Sequence, residues 1–276
     1  TMKNFDINRF GSVLKWNALM TKKEILTNTA SMTFAFVVLA VVQVMSSRNK
    51  SDMVVADNFN SFTSFALFVF LIICSIGGCW IFNNMKTKEQ RITFKMLPAT
   101  DLEKFVVRAL YATVVWWLMA FVAFCLADLF RMLVSLIAGV SITGSAVPLF
   151  LSMIFANTNV SINSLNTNDV AFATAIFVMA HAWAFWVHSL YILGGTLFRR
   201  RQFVQTTLAH CVIGLVFTPI LINFVDTSYA VALRETIISM VWVAAVVFIV
   251  WGLVDWWLSY RIFRRMQVIN NKWLNV

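Results

Sequence analysis

Residues 58–85 read NFNSFTSFALFVFLIICSIGGCWIFNNM, 28 positions with no charged side chain. A helix crossing the hydrocarbon core of a bilayer needs roughly 20 apolar residues, and this run exceeds that. It does not alternate apolar and polar at a period of two, so it reads as a helix and not as a barrel strand. In lipid only helices and closed barrels satisfy every backbone group. Six further charge-free stretches exceed 18 residues: 25–47, 109–127, 132–168, 170–198, 202–225 and 236–254.

The whole chain agrees with this stretch. Of its 276 residues, 60% are hydrophobic and 12% charged, with 26 Phe and 11 Trp. A soluble domain carries about twice that charged share, and the surface of a cytosolic enzyme could not be built from what remains. A disordered chain is excluded by the same numbers. The sequence therefore predicts an all-α integral membrane protein.

Basic residues set the number of spans. Six cores stand out, at about 30–45, 62–82, 105–129, 170–193, 204–224 and 237–258. With six spans and the N-terminus inside, 17 Lys and Arg face the cytoplasm and four, Arg48, Lys50, Arg131 and Arg234, face outward. Arg108 falls within a span. A seventh span at 132–155 would give 11 inside and 10 outside, so the positive-inside rule favours six. Both termini are then cytoplasmic. Residues 131–168 become an extracytoplasmic segment whose first part, Met132–Phe155, lies on or dips into the outer leaflet. The net charge of +10 gathers on the inner face, where anionic membrane lipids attract it; it calls for no nucleic acid.

Three segments flank the spans. In residues 5–24, Phe10, Val13, Leu14 and Met20 recur at helical spacing among Lys15, Lys22 and Lys23, which predicts an interfacial amphipathic helix. The inner loop 83–104 reads NNMKTKEQRITFKMLPATDLEK. Pro98 ends whatever precedes it, and Thr100 with Glu103 makes a capping box for the third span. The tail carries Trp256, Trp257 and Tyr260 as interfacial anchors, followed by Arg261, Arg264 and Arg265. Cys74, Cys79, Cys125 and Cys211 all lie within expected spans and are read as small packing residues. Small residues in span two (Ser75, Gly78, Cys79) and span four (Ala171, Ala175, Ala180, Ala184) mark expected close helix contacts.

Chemistry is sparse. There is no phosphate-binding P-loop, no H-E-x-x-H, no G-x-S-x-G and no C-x-x-C, so no catalytic, metal or cofactor site is expected. Intramembrane charge is limited to Arg108 and to acids near span ends, Asp255 on the inner side and Asp128 on the outer. Intramembrane charges find partners, and Asp255 and Arg108 share a depth, which predicts a contact between them. His181 and His188 lie seven apart on one face of span four, with His210 the third histidine. That number is too small for two bis-histidine haems, so these are read as histidines hydrogen-bonded inside the bundle or lining a polar path.

The pattern resembles the membrane subunit of an ABC exporter of the type-two permease superfamily. The residues carrying the resemblance are Arg91–Phe105 (RITFKMLPATDLEKF), Gly194–Phe198 running into Gln205 and Thr206, and the tail Tyr260–Gln267, within 60–276. The resemblance implies that two permease subunits pair, as homo- or heterodimer. It also implies that each docks a separate ABC ATPase through the loop after span two. The partner contacts would then be Lys88, Glu89, Arg91, Lys95, Leu97 and Pro98. ATP hydrolysis would belong to the partner, not to this chain, and the membrane would be the bacterial cytoplasmic one. The family carries its re-entrant helices between spans five and six; this chain has only 225–234 there and its bulky outer segment follows span three. Two other classes fit the composition: a non-transporting interaction, sensor or immunity protein, and a membrane redox or enzyme subunit.

Overall fold

The computed structural model describes residues 5–85, 87–141, 144–155, 167–199, 201–224 and 234–266, with the backbone alone at 167–169, 217–224 and 234–236. The described residues form nine α-helices and no strand. These are α1 (Ile7–Ser47), α2 (Asp52–Gly77), α3 (Lys88–Lys95), α4 (Asp101–Leu110), α5 (Trp116–Ala138), α6 (Val147–Phe155), α7 (Thr167–Leu197), α8 (Gln202–Phe224) and α9 (Arg234–Arg265). Two 3-10 turns, Gly78–Trp80 and Asn83–Met85, follow α2, and a π-turn, Tyr111–Val115, joins α4 to α5.

Five stretches among the described residues are long and apolar enough to cross a membrane: Ile7–Ser47, Asp52–Met85, Asp101–Ala138, Val170–Leu197 and Ile237–Arg265. The chain is a multi-pass membrane protein by this measure. The expected span 204–224 falls on α8, whose described apolar part runs Gln202–Val216. Exposure follows the same logic. On α1, Phe34, Val38, Val42 and Met45 point outward, while Phe36, Ala40 and Val44 on the opposite side are fully buried. Both faces are apolar, as lipid solvation requires.

The boundary expected near residue 24 does not exist. The interfacial helix 5–24 and the span 30–45 are one uninterrupted helix of 41 residues, about 60 Å long at the α-helical rise. The hydroxyls along this stretch are satisfied inside the helix: Thr27 Oγ1 donates to the Lys23 carbonyl at 2.9 Å, Thr29 to Ile25 at 2.8 Å and Thr33 to Thr29 at 2.8 Å. Back-bonded hydroxyls need no water, so a polar stretch can remain helical.

Contacts divide the chain into two compact units. One comprises Trp16–Cys74 and Thr113–Asn159. Its centre is aromatic: Phe150 of α6 stacks on Phe124 at 4.2 Å and meets Phe70 edge-on at 5.1 Å, while Phe36 meets Phe124 at 5.7 Å. Here α5 runs nine residues past the expected end of span three. Arg131 is therefore a buried helix residue and not part of an outer loop, and Asp128, expected near the outer end of span three, is buried beside it. Arg131 Nε donates to Asp128 Oδ1 at 2.9 Å, Ser145 Oγ and the Ala146 N–H donate to Asp128 Oδ2 at 2.7 and 3.0 Å, and Arg131 also donates to the Gly144 carbonyl. The ion pair thus bonds one carbonyl and one N–H of the chain just ahead of α6. Gly139, at φ 67°, ends α5 in the left-handed conformation that glycine adopts freely.

The other unit comprises Thr1–Lys15, Ser75–Ala112 and Val160–Val276. Here α7 packs along α9: Trp186 stacks on Phe248 at 5.2 Å, and Gly252 lets α9 approach the Phe185 ring. The alanine series expected to mediate close contacts is only partly inside, since Ala175 is buried but Ala171 and Ala180 are exposed. Glycines make the close approaches, Gly78 of the span-two set among them. A Cβ on Gly78 would lie 2.9 Å from the His188 carbonyl, and one on Gly195 would lie 2.8 Å from the Cys79 carbonyl. Of the cysteines, Cys79 is buried as expected of a packing residue, whereas Cys211 is exposed.

Candidate functional site

The site begins where α2 unwinds. Gly77 closes the α-helix, Gly78–Trp80 tightens to a 3-10 turn, and the backbone carbonyls of Trp80 and Ile81 lose their helical partners. Arg108, fully buried, takes both: its guanidinium donates to the Trp80 carbonyl at 3.0 Å and, through Nε, to the Ile81 carbonyl. It also lies over the Tyr111 ring at 4.7 Å. A fixed cation with several donors is suited to capping two carbonyls at once.

From there the chain builds an elbow. Thr87 caps α3, accepting from the Gln90 N–H at 3.3 Å while its own N–H donates to Gln90 Oε1 at 3.2 Å. Thr100 caps α4 in the same reciprocal way, accepting from the Glu103 N–H at 3.2 Å and donating to Glu103 Oε2 at 2.8 Å. The second carboxylate oxygen of Glu103 receives the Asp6 N–H at 2.8 Å and the Arg9 guanidinium at 3.0 Å. Glu103 is 0% exposed and reads as a carboxylate, because all these partners are donors and one is cationic. It fastens the start of α1 to the start of α4.

The other side of the elbow closes on α9. Lys95 Nζ donates to the Phe263 carbonyl at 3.0 Å and to Asp101 Oδ1 at 3.2 Å, and sits 3.9 Å from the Phe263 ring centre. Lys104 Nζ donates to the Lys95 carbonyl at 2.7 Å. Under these lysines, Phe82 stacks on Phe263 at 4.9 Å, and Phe94 and Phe105 pack edge-on or tilted against the same ring.

The residues singled out for partner contact therefore separate into two groups. Lys88, Glu89 and Pro98 are exposed and Leu97 is half-buried. Arg91 is buried, with its Nε lacking a hydrogen-bond partner among the described residues, and Lys95 is engaged within the elbow. Beside the exposed charges stand apolar side chains that the sequence reading passed over: Met96 is 78% exposed, with Leu102 and Ile92 also exposed. Their outward direction follows from the inward direction of Phe94 and Lys95, which the sequence alone does not assign.

The intramembrane polar residues do not converge. The expected Asp255–Arg108 contact is not formed. Asp255 of α9 instead accepts the Ser189 hydroxyl of α7 at 3.2 Å, and Arg108 is held by the carbonyls released from α2. His181 is exposed, its Nδ1 within 2.8 Å of the Phe177 carbonyl. His188 is half-buried and its own carbonyl borders Gly78. His210 is half-buried, 5.7 Å from the Trp186 ring. Among the described residues, no three His, Cys, Asp or Glu lie close enough to share a metal ion. Two tethers escaped the sequence reading. One is Arg9–Glu103, which has no local signal because the partners are far apart in the chain. The other is Asp128–Arg131, whose opposite charges three apart in an apolar run were a readable sign.

No family model, curated protein or solved structure matches the chain.

Proposed function

We propose that this chain is the membrane-spanning permease subunit of an ATP-driven exporter, working as a pair with separate ATPase subunits in a bacterial cytoplasmic membrane. The observation that supports the reading is the elbow at 87–104. A connector between two membrane helices needs only reach. This one is doubly capped and bonded to α4, α9 and the start of α1, and it still turns Lys88, Glu89, Ile92, Met96 and Leu102 outward. An apolar patch rimmed by charge suits a protein partner. An elbow fastened to α9 moves with it, which a lever between an ATPase and a membrane helix requires.

In this reading, ATP binding and hydrolysis on the partner shift the pair between inward-open and outward-open states. The chain contributes different affinities for substrate in the two states and no covalent chemistry. An aromatic-rich apolar bundle suits lipids, peptides or amphiphilic drugs. The elbow and both termini then face the cytoplasm.

Purification from native membranes in mild detergent tests the proposal. The chain is expected to recover a nucleotide-hydrolysing ATPase. Ile92→Glu with Met96→Glu is expected to lose it while the chain keeps its Tm. Recovery of non-ATPase partners alone, or an ATPase indifferent to these substitutions, overturns the elbow as the coupling element.

A further inference from the structure

Arg91, in the middle of α3, differs from the other buried cations of the chain. Arg108 is capped by two carbonyls, Arg131 is paired with Asp128, and Lys104 is bonded to the Lys95 carbonyl. Arg91 is 8% exposed. Among the described residues it has no acid within ion-pair distance, and its Nε is enclosed without an acceptor. Taking a guanidinium out of water with no counter-charge is unfavourable.

The elbow has no spare acid to offer it. Asp101 is taken by Lys95, and Glu103 by Arg9, Asp6 and Thr100. Glu89 is exposed and two positions away, a spacing that does not bring side chains together on a helix. Its carboxylate is held below the ordinary range first by its own N–H and then by the Thr87 side chain, and least by the charge of Arg91. A second group on the elbow is in the same condition. Asn84 lies in the 3-10 turn against which α3 packs, and both its amide oxygen and its amide nitrogen are enclosed with no hydrogen-bond partner among the described residues. A guanidinium and an amide NH2, both donors without acceptors, suit a carboxylate.

These donors border the apolar patch of the elbow. Lys88, three positions earlier and on the same side of α3, is exposed, and so are Ile92 at the next position and Met96 beyond it. The rim carries both signs, Lys88 and Glu89. A uniformly anionic bilayer surface would meet Glu89 as a like charge, whereas a protein surface can set opposite charges in register. We infer that the elbow receives an acidic side chain of the partner protein, whose carboxylate takes the Arg91 guanidinium with the Asn84 amide beside it, while apolar side chains of the same partner cover Ile92, Met96 and Leu102. The inference rests on the elbow being a docking face and adds what the docked partner must carry.

Two measurements on the full chain test it. In the first, the chain purified alone is compared with Arg91→Met by thermal unfolding. With no internal partner to lose, Arg91→Met is expected to hold or raise Tm; a fall of several degrees would assign Arg91 to the fold and overturn the inference. In the second, p-benzoylphenylalanine in place of Ile92 is photo-crosslinked in intact cells and the adduct is mapped by mass spectrometry. The attached protein segment is expected to hold an Asp or Glu. Arg91→Met is expected to lower the adduct yield roughly tenfold, and Lys22→Gln, at an exposed basic residue of α1, to leave it unchanged. Arg91→Glu combined with an arginine at the mapped acid is expected to restore it. Adducts to lipid alone, no adduct, a segment without an acid, or a yield indifferent to Arg91→Met overturns the inference. An acidic segment from a protein that does not hydrolyse nucleotide supports it and removes the ATPase reading; an ATPase adduct indifferent to Arg91→Met does the converse.

Discussion

Arg108 and Glu103 show how single charged residues organise the membrane end of this protein. Each is completely buried, yet neither is an isolated charge. Arg108 meets carbonyls that the end of α2 would otherwise leave unbonded, and Glu103 collects donors from Thr100, Asp6 and Arg9. Removing either residue breaks several bonds at once. Thr100→Ala removes one cap and is expected to cost about 1 kcal/mol. Glu103→Ala removes the same cap and also the acceptor of the Asp6 N–H and of the Arg9 guanidinium, both partly exposed, and about 2 kcal/mol is expected. Comparing the Tm of the two variants in one detergent checks the order; equal losses would mean that Glu103 serves only as a cap. The capping role of Glu103 is legible from its spacing to Thr100, while its bond to Arg9 is not, because nothing local links positions so far apart.

At the scale of elements, the packing of α7 depends on glycine. Gly195 faces the Cys79 backbone, and a Cβ there would lie 2.8 Å from the carbonyl oxygen and 3.0 Å from Cα. Backbone cannot swing aside as a side chain can, so Gly195→Ala is expected to shift α7 and cost roughly 1–3 kcal/mol. Gly214 on α8 has nothing within 4 Å of its would-be Cβ, so Gly214→Ala is expected to stabilise by up to about 1 kcal/mol through helix propensity. Thermal unfolding of the pair discriminates: losses of equal size would show that glycine flexibility, not close approach, matters at both positions. The irregular segment before α6 follows another rule. Its described part is tied to α5, since Asp128 accepts the Ala146 N–H and Arg131 donates to the Gly144 carbonyl, the kind of internal bonding that non-helical chain needs at membrane depth.

For the molecule as a whole, the distribution of charge predicts orientation. The turn at Arg48–Lys50 and the elbow at 87–95 lie at opposite ends of the span Asp52–Met85, and the positive-inside count puts the elbow in the cytoplasm. In a cysteine-free background, an impermeant thiol reagent added to intact cells is expected to label Lys50→Cys and to spare Thr87→Cys until the cells are opened. The reverse pattern would invert the topology and remove the elbow from any cytoplasmic ATPase. What the sequence determined by itself was the solvent: long charge-free runs such as 58–85 can be stable only as helices in lipid, because hydropathy and backbone satisfaction are local properties of a segment. The helix caps at Thr87 and Thr100 belong to the same local class, since their partners sit three residues away. What only the tertiary structure decided was the inward turn of Lys95 and Arg91, and the partners of Arg108 and Asp255. Apart from Arg91, each of these polar groups needed a partner from a distant part of the chain. The choice of partner depends on which helices pack together, as at Gly252, where α9 comes close to the Phe185 ring and the Ser189 hydroxyl of α7.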